Sequence, residues 1–316
     1  MSRDQQAARW TRSSGAACVA AVVSRWLAHT GALTGLTAAS TAITASVLLR
    51  APLDPTLALV AFAVTASSYG IDRRVDRDRD RHALRSATLA RTRGLHTVGL
   101  AMFALAVVLA VAEAGPTAAA ILLAIPLAVI LYAVPWIDRV APLPGHPRIR
   151  RIKDIPLIKA FYVAGWWVVL VPLAAVFAGR ALDGGLLPAA ACVFGLLFVN
   201  AVACDLRDVA ADRAAGVVTF PVLLGVARTV QALRVINATW LIGLGIGLIT
   251  GALPCGAVAL VIEGWIVDRC LVRVAEPGAD LTFYGDVCFD AAIAGLPLLF
   301  LIVALAGELL GCSPMT

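Results

Sequence analysis

The sequence predicts an all-α fold: a polytopic bundle of about nine transmembrane helices, built as one domain over residues 1–316. Three observations carry this expectation. Hydrophobic residues make up 60% of the chain and charged residues 15%, with a mean hydropathy of +0.89, whereas soluble domains are about a quarter charged. Apolar stretches long enough to cross a hydrocarbon layer of about 30 Å recur along the whole chain. Arginine and lysine are confined almost wholly to alternate connections between them.

The elements follow in order. Residues 1–30 form an N-terminal segment expected to be cytoplasmic or interfacial. Its apolar part, 13–28, is interrupted by Arg25, and no small-x-small site is evident, so a cleavable signal is not expected. Span one covers 31–49. Span two, 53–71, runs directly into Asp72 and a charged connection over 72–94. Spans three and four occupy 95–113 and 117–135. A second polar connection, 136–159, carries Ala141-Pro-Leu-Pro-Gly-His-Pro147 and then the basic run Arg148–Pro156. Spans five to nine are 160–178, 186–204, 229–250, 251–268 and 288–311, although 229–268 admits other divisions.

The charges orient this array. With a cytoplasmic N-terminus, only Arg50 and Arg180 of the 26 cationic residues fall on the far side. That asymmetry is the positive-inside pattern. The net charge of +6 reflects the same bias towards an anionic leaflet and calls for no nucleic-acid partner. The seven cysteines, at 18, 192, 204, 255, 270, 288 and 312, show no redox or metal-ligand spacing and read as small packing residues. The expected location is the cell membrane.

Two acidic clusters close spans two and six, both on the cytoplasmic side: Asp72, Asp76, Asp78 and Asp80, then Asp205, Asp208 and Asp212. Spacings of three and four place side chains on one helix face, so each cluster can present two or three carboxylates to one point. Hard oxygen donors suit Mg²⁺, typically held by one or two carboxylates together with substrate phosphates. Metal ligands are therefore expected at Asp72, Asp76, Asp205, Asp208 and Asp212. The run Arg-Asp-Arg-Asp-Arg around Asp78 and Asp80 neutralises itself. It is not a calcium loop, because Arg81 stands where that loop needs Gly and Ala87 where it needs Glu.

The second cluster is part of a longer pattern: Asp205-Leu-Arg-Asp208-Val-Ala-Ala-Asp212-Arg-Ala-Ala-Gly216-Val-Val-Thr219-Phe-Pro221-Val-Leu-Leu-Gly225. It resembles the second Asp-rich motif of the UbiA superfamily of intramembrane prenyltransferases, DxxDxxxDxxxGxxTxPVxxG, at every marked position. Leu131-Tyr-Ala-Val-Pro135 and Arg151-Ile-Lys153-Asp-Ile-Pro156-Leu-Ile-Lys159 resemble the stretch that follows helix four in that family. The first motif departs from the family's NDxxDxxxD: Ser68 stands at the Asn and Tyr69 at the first Asp, leaving a Tyr-x-x-Asp-Arg-x-x-Asp variant. Cys204 replaces an Asn often found before the second motif.

The resemblance implies a reaction. An isoprenyl diphosphate binds through Mg²⁺ between the motifs, with its tail in an apolar tunnel open to membrane lipid. Pyrophosphate leaves, and the allylic cation is captured by an aromatic or lipid acceptor whose identity the residues leave open. Asp72, Asp76, Asp208, Asp212, Lys153 and Tyr69 are the expected catalytic groups, and Arg207, Arg213 and Lys159 the expected diphosphate-binding groups. Tyr69, Phe161, Tyr162, Trp166 and Trp167 could face the cation. Interfacial aromatics are also common in any membrane protein.

Asp286, just before span nine, and Asp290, at its start, are expected to be solvated and structural, with the site rim as the alternative. His29, His82, His96 and His146 are unassigned. Two other readings stay open. One is a membrane terpene cyclase on the same fold, in which the cation is captured intramolecularly. The other is a non-enzymatic transporter or lipid-binding protein. A transporter should place ionisable groups mid-membrane on broken helices, whereas these acids fall at helix ends, Glu263 excepted.

Overall fold

The computed structural model describes Val23 and residues 26–75, 95–137 and 149–309, with the side chains of 70–75 and 95–96 left aside. Asp76, Asp78 and Asp80 lie outside the described residues. Among the described residues every regular element is helical. This is what a lipid setting demands, because a helix satisfies its own backbone hydrogen bonds where water is absent.

The principal helices are α1 (Ala32–Leu48), α2 (Pro55–Val75), α3 (Leu95–Ala133), α4 (Ile158–Trp167), α5 (Leu170–Phe177), α6 (Leu187–Ala215), α7 (Phe220–Leu224), α8 (Val226–Ile249), α9 (Val258–Val274), α10 (Phe289–Ala294) and α11 (Leu296–Leu309). A π-helical turn, Tyr284–Cys288, leads into α10. Spans three and four lie on the single element α3, which breaks at Gly115 with φ 77° ahead of Pro116. A left-handed glycine followed by a proline, which opens a new helix well, divides the stretch where the apolar runs divide.

Five helical stretches are long and apolar enough to cross a membrane: Thr97–Ala133, Ile158–Phe177, Gly184–Ala215, Val226–Ile249 and Leu281–Leu309. Ala32–Leu48 and Pro55–Tyr69 are shorter apolar helices. Among the described residues these five helices carry expected spans three to seven and nine; spans one, two and eight fall on the shorter helices Ala32–Leu48, Pro55–Tyr69 and Val258–Val274.

Small side chains let the helices approach closely. Ala38, Ala42 and Ala45 of α1 are fully buried, as are Val60, Ala61 and Val64 of α2, the small-residue packing that drives helix association in lipid. The α1 hydroxyls are satisfied locally: Thr41 donates to the Thr37 carbonyl at 2.8 Å and Thr44 to that of Ser40 at 2.8 Å. Ser40 donates instead to the Ile293 carbonyl at 2.6 Å, tying α1 to α10. On the outside Leu105, Val108, Leu123, Ile242, Leu298 and Leu301 stand exposed. An apolar outer surface of that extent suits lipid rather than water.

The two arginines that break the charge bias both cap backbone. Arg50 donates to the Gly251 carbonyl at 3.0 Å, and Arg180 donates to that of Leu49. They pin together the connections at the end of the bundle opposite the acidic motif.

Candidate active site

The turn residues of the second motif build its scaffold. Gly216, φ 74°, ends α6 in the left-handed region, and the Val217 N–H closes back on the Asp212 carbonyl at 2.9 Å. This is the helix stop for which glycine is best suited. Thr219 and Pro221 then open α7, and Gly225, φ 79°, ends it. The basic segment docks on this turn: Leu157, held at φ 63°, donates its N–H to the Val218 carbonyl at 2.8 Å. That bond brings Lys153 and Lys159 against the carboxylate helix.

A cavity of about 420 Å³ lies between these elements. Asp205, Asp208, Asp212, Cys204 and Asn200 line it from α6; Lys159, Tyr162, Trp166 and Trp167 from α4; Tyr132 from α3; Ser68 and Tyr69 from α2; Arg151 and Lys153 from the basic segment; Asp286 and Asp290 from the last helical stretch. The acidic face is held by resident cations. Lys159 Nζ sits 2.7 Å from Asp205 Oδ1 and 3.3 Å from Asp212 Oδ2. Arg207 clamps Asp208 through Nε at 2.8 Å and Nη2 at 2.6 Å, and its Nη1 pairs with Asp286. The two-point clamp is the strong form of a charged hydrogen bond. His29 Nε2 lies 3.7 Å from the other Asp286 oxygen.

The same cavity has an aromatic wall. Tyr132 and Tyr162 stack at 5.3 Å, Tyr162 meets Trp166 at 6.2 Å, and the Tyr162 hydroxyl donates to the Ala128 carbonyl at 2.9 Å. Lys153 Nζ lies 5.7 Å from the Tyr132 ring centre. Phe161, also expected near the cation, is half exposed and packs on Phe198 and Phe220 instead.

The structure thus brings together Tyr69, Lys153, Lys159, Asp205, Arg207, Asp208 and Asp212 of the expected site. Asp72 falls on the last turn of α2, one turn beyond Tyr69; its side chain, like all of Asp76, lies outside what the structure describes. Arg213 is exposed and lies outside the cavity lining. A step of about 100° per residue explains this: Arg207 lies at one edge of the cavity-facing arc, and Arg213 falls about 80° beyond the other edge, at Asp205. Asp286 and Asp290 are not solvated. Asp286 is buried, and both line the cavity.

The donor set suits a hard divalent cation, since three carboxylates of one helix line a single cavity. Among the described residues no three acidic, His or Cys side chains converge on one metal-sized point; the carboxylates are engaged by Lys159 and Arg207.

The sequence model of the UbiA prenyltransferase family matches residues 17–291. The chain belongs to the UbiA prenyltransferase family. Solved UbiA structures share its fold at low sequence identity. A UbiA homolog from Archaeoglobus fulgidus bound to GPP and Mg²⁺ aligns with a TM-score of 0.58 at 15% identity, covering 90% of this chain and 98% of that one. The apo UbiA homolog from Aeropyrum pernix K1 gives 0.59 at 16%, covering 87% and 98%. A digeranylgeranylglyceryl phosphate synthase gives 0.52 at 15%, covering 90% and 99%. No curated protein matches the chain. Family membership makes this a helical membrane protein, and the all-helical bundle expected from the apolar spans is the one observed.

Proposed function

We propose that this chain is a Mg²⁺-dependent intramembrane prenyltransferase of the cell membrane. It ionises an isoprenyl diphosphate and passes the prenyl group to an aromatic or lipid acceptor. Residues 1–316 act as one domain, with the N-terminus and the acidic face cytoplasmic. The observation that carries the reading is one cavity lined by an acidic helix face, lysine and arginine cations and aromatic rings.

Asp205, Asp208 and Asp212, with Asp72 and Asp76 of the first acidic cluster, would hold Mg²⁺. Once bound, the metal supplies charge to stabilise the departing pyrophosphate. The residues of the chain do the rest. Lys153 and Lys159 offer compact charges to diphosphate oxygens, and Arg207 keeps Asp208 oriented. Tyr132, Tyr162 and Trp166 present ring faces to the allylic cation, each worth about 0.5–2 kcal/mol. Tyr69 adds a phenol where the family places a carboxylate. Arg213, outside the cavity, has no part in this scheme.

The test is product analysis. Purified protein in lipid nanodiscs is given prenyl diphosphates of increasing length with Mg²⁺, without and then with candidate acceptors. Magnesium-dependent pyrophosphate release with prenylated acceptor is the expected result. Cyclic hydrocarbon or alcohol formed without any acceptor would establish the cyclase reading instead. No pyrophosphate release from any chain length would overturn both.

A further inference from the structure

The cavity has two polar levels, and the ionisation chemistry uses one of them. The first is the Asp205–Asp212 face. The second lies at Asn200, five residues back along α6 from Asp205, hence about 7.5 Å further into the bundle at 1.5 Å per residue. Asn200 lies inside the expected span six, 186–204, and Asp290 inside the expected span nine, 288–311, each near the end that carries the acidic motif. Asn200 Nδ2 donates to Asp290 Oδ1 at 3.0 Å, and Thr34 Oγ1 donates to Asp290 Oδ2 at 3.4 Å. All three residues line the cavity.

An ionisable side chain inside an apolar span is costly and is a functional candidate by default. A prenyl tail asks only for apolar walls. Clamping α1 to α10 does not require the carboxylate either. Thr37 already donates to the Asp290 backbone carbonyl at 3.1 Å, and Ser40 to that of Ile293. Asp290 lies on neither acidic motif, and its carboxylate is part of the cavity wall.

We infer that Asp290, oriented by Asn200 and Thr34, anchors the acceptor, and that the acceptor is a lipid-soluble molecule presenting an O–H group. The inference rests on the prenyl-transfer reading. An ionised carboxylate only accepts hydrogen bonds, so it selects a donor and discriminates against an ether or ester of the same shape. It also disposes of the proton. The bond from the allylic carbon to the diphosphate oxygen breaks first, and the acceptor oxygen then bonds to the resulting cation. Pyrophosphate leaves with the electron pair, and the O–H proton passes to Asp290 and then to water.

Binding of 4-octylphenol and of its methyl ether, 4-octylanisole, to protein in nanodiscs, measured by isothermal titration calorimetry, tests this. The wild type should bind the phenol about tenfold more tightly, the 1.4 kcal/mol expected of one charge-assisted hydrogen bond. Asp290→Leu should bring the two ligands to within about twofold. Should that variant not fold, Asn200→Leu should cut the preference at least about threefold by disordering the carboxylate. Equal or absent binding of the two ligands by the wild type overturns the inference, and so does a preference that survives loss of the carboxylate. Failure of the prenyl-transfer reading is distinct, appearing as no pyrophosphate release from GPP with Mg²⁺.

Discussion

Replacing Lys159 by Met removes the one ammonium shared by Asp205 and Asp212 while keeping most of the side chain's volume. Its two ion pairs span 2.7 Å and 3.3 Å, between groups whose side chains are 22%, 5% and 13% exposed. At an effective dielectric of about 20, attractions at those distances are on the order of 5–6 kcal/mol each before desolvation. Desolvation offsets most of that, but removing one partner alone leaves buried charge uncompensated, at about 3–5 kcal/mol. The lower end applies here, because Lys159 reaches the cavity. Two consequences follow with opposite signs. Without divalent cation, the variant's thermal midpoint should drop by roughly 5 °C or more. Its affinity for Mn²⁺, used as a spectroscopic stand-in for Mg²⁺, should rise about tenfold, since the metal no longer competes with the ammonium for two oxygens. Turnover should nevertheless fall, because the diphosphate loses a cation. Thermal scans and Mn²⁺ titration followed by electron paramagnetic resonance measure both. An unchanged midpoint together with unchanged Mn²⁺ affinity would refute the view that Lys159 and metal share these carboxylates.

Further outcomes are expected elsewhere. Asp208→Ala should lower turnover at least about 100-fold, roughly 3 kcal/mol of barrier; near-wild-type pyrophosphate release would remove Asp208 from the site. A Cβ at Gly285 would come within 2.8 Å of Arg207 Cβ, so Gly285→Ala should destabilise by about 1–3 kcal/mol and shift the Arg207 clamp. Gly243→Ala meets open space and should be neutral in the same thermal scan. In a variant whose native cysteines are replaced by alanine, a cysteine introduced at Ala87, in the connection after α2, should react with a membrane-impermeant maleimide only in inverted vesicles; labelling of intact cells would reverse the proposed orientation.

The sequence disclosed what is contiguous in the chain. Asp205, Asp208 and Asp212 share a face by helical arithmetic, and the Gly, Thr and Pro of the same motif read directly as the stop and restart that the fold displays. The exposure of Arg213 follows from the same wheel, whereas proximity to the acidic cluster alone groups it with Arg207. What stayed hidden depends on distant partners. Arg207 meets Asp286 from 79 positions away, Asn200 meets Asp290 from 90, and Thr34 reaches Asp290 across 256. No periodicity within one segment signals such pairings, so a carboxylate near a helix start reads as solvated when it lines the cavity. His29 is hidden for the same reason.

A structure of the protein with Mg²⁺ and a non-hydrolysable prenyl thiolodiphosphate decides whether the acidic face holds the substrate. Diphosphate-bound Mg²⁺ is expected with carboxylate oxygens of the Asp205–Asp212 face at about 2.0–2.1 Å, Lys159 turned towards phosphate oxygen, and the prenyl carbons against Tyr132, Tyr162 and Trp166. Diphosphate bound away from that face, or metal held without any of its three carboxylates, would contradict the proposed site.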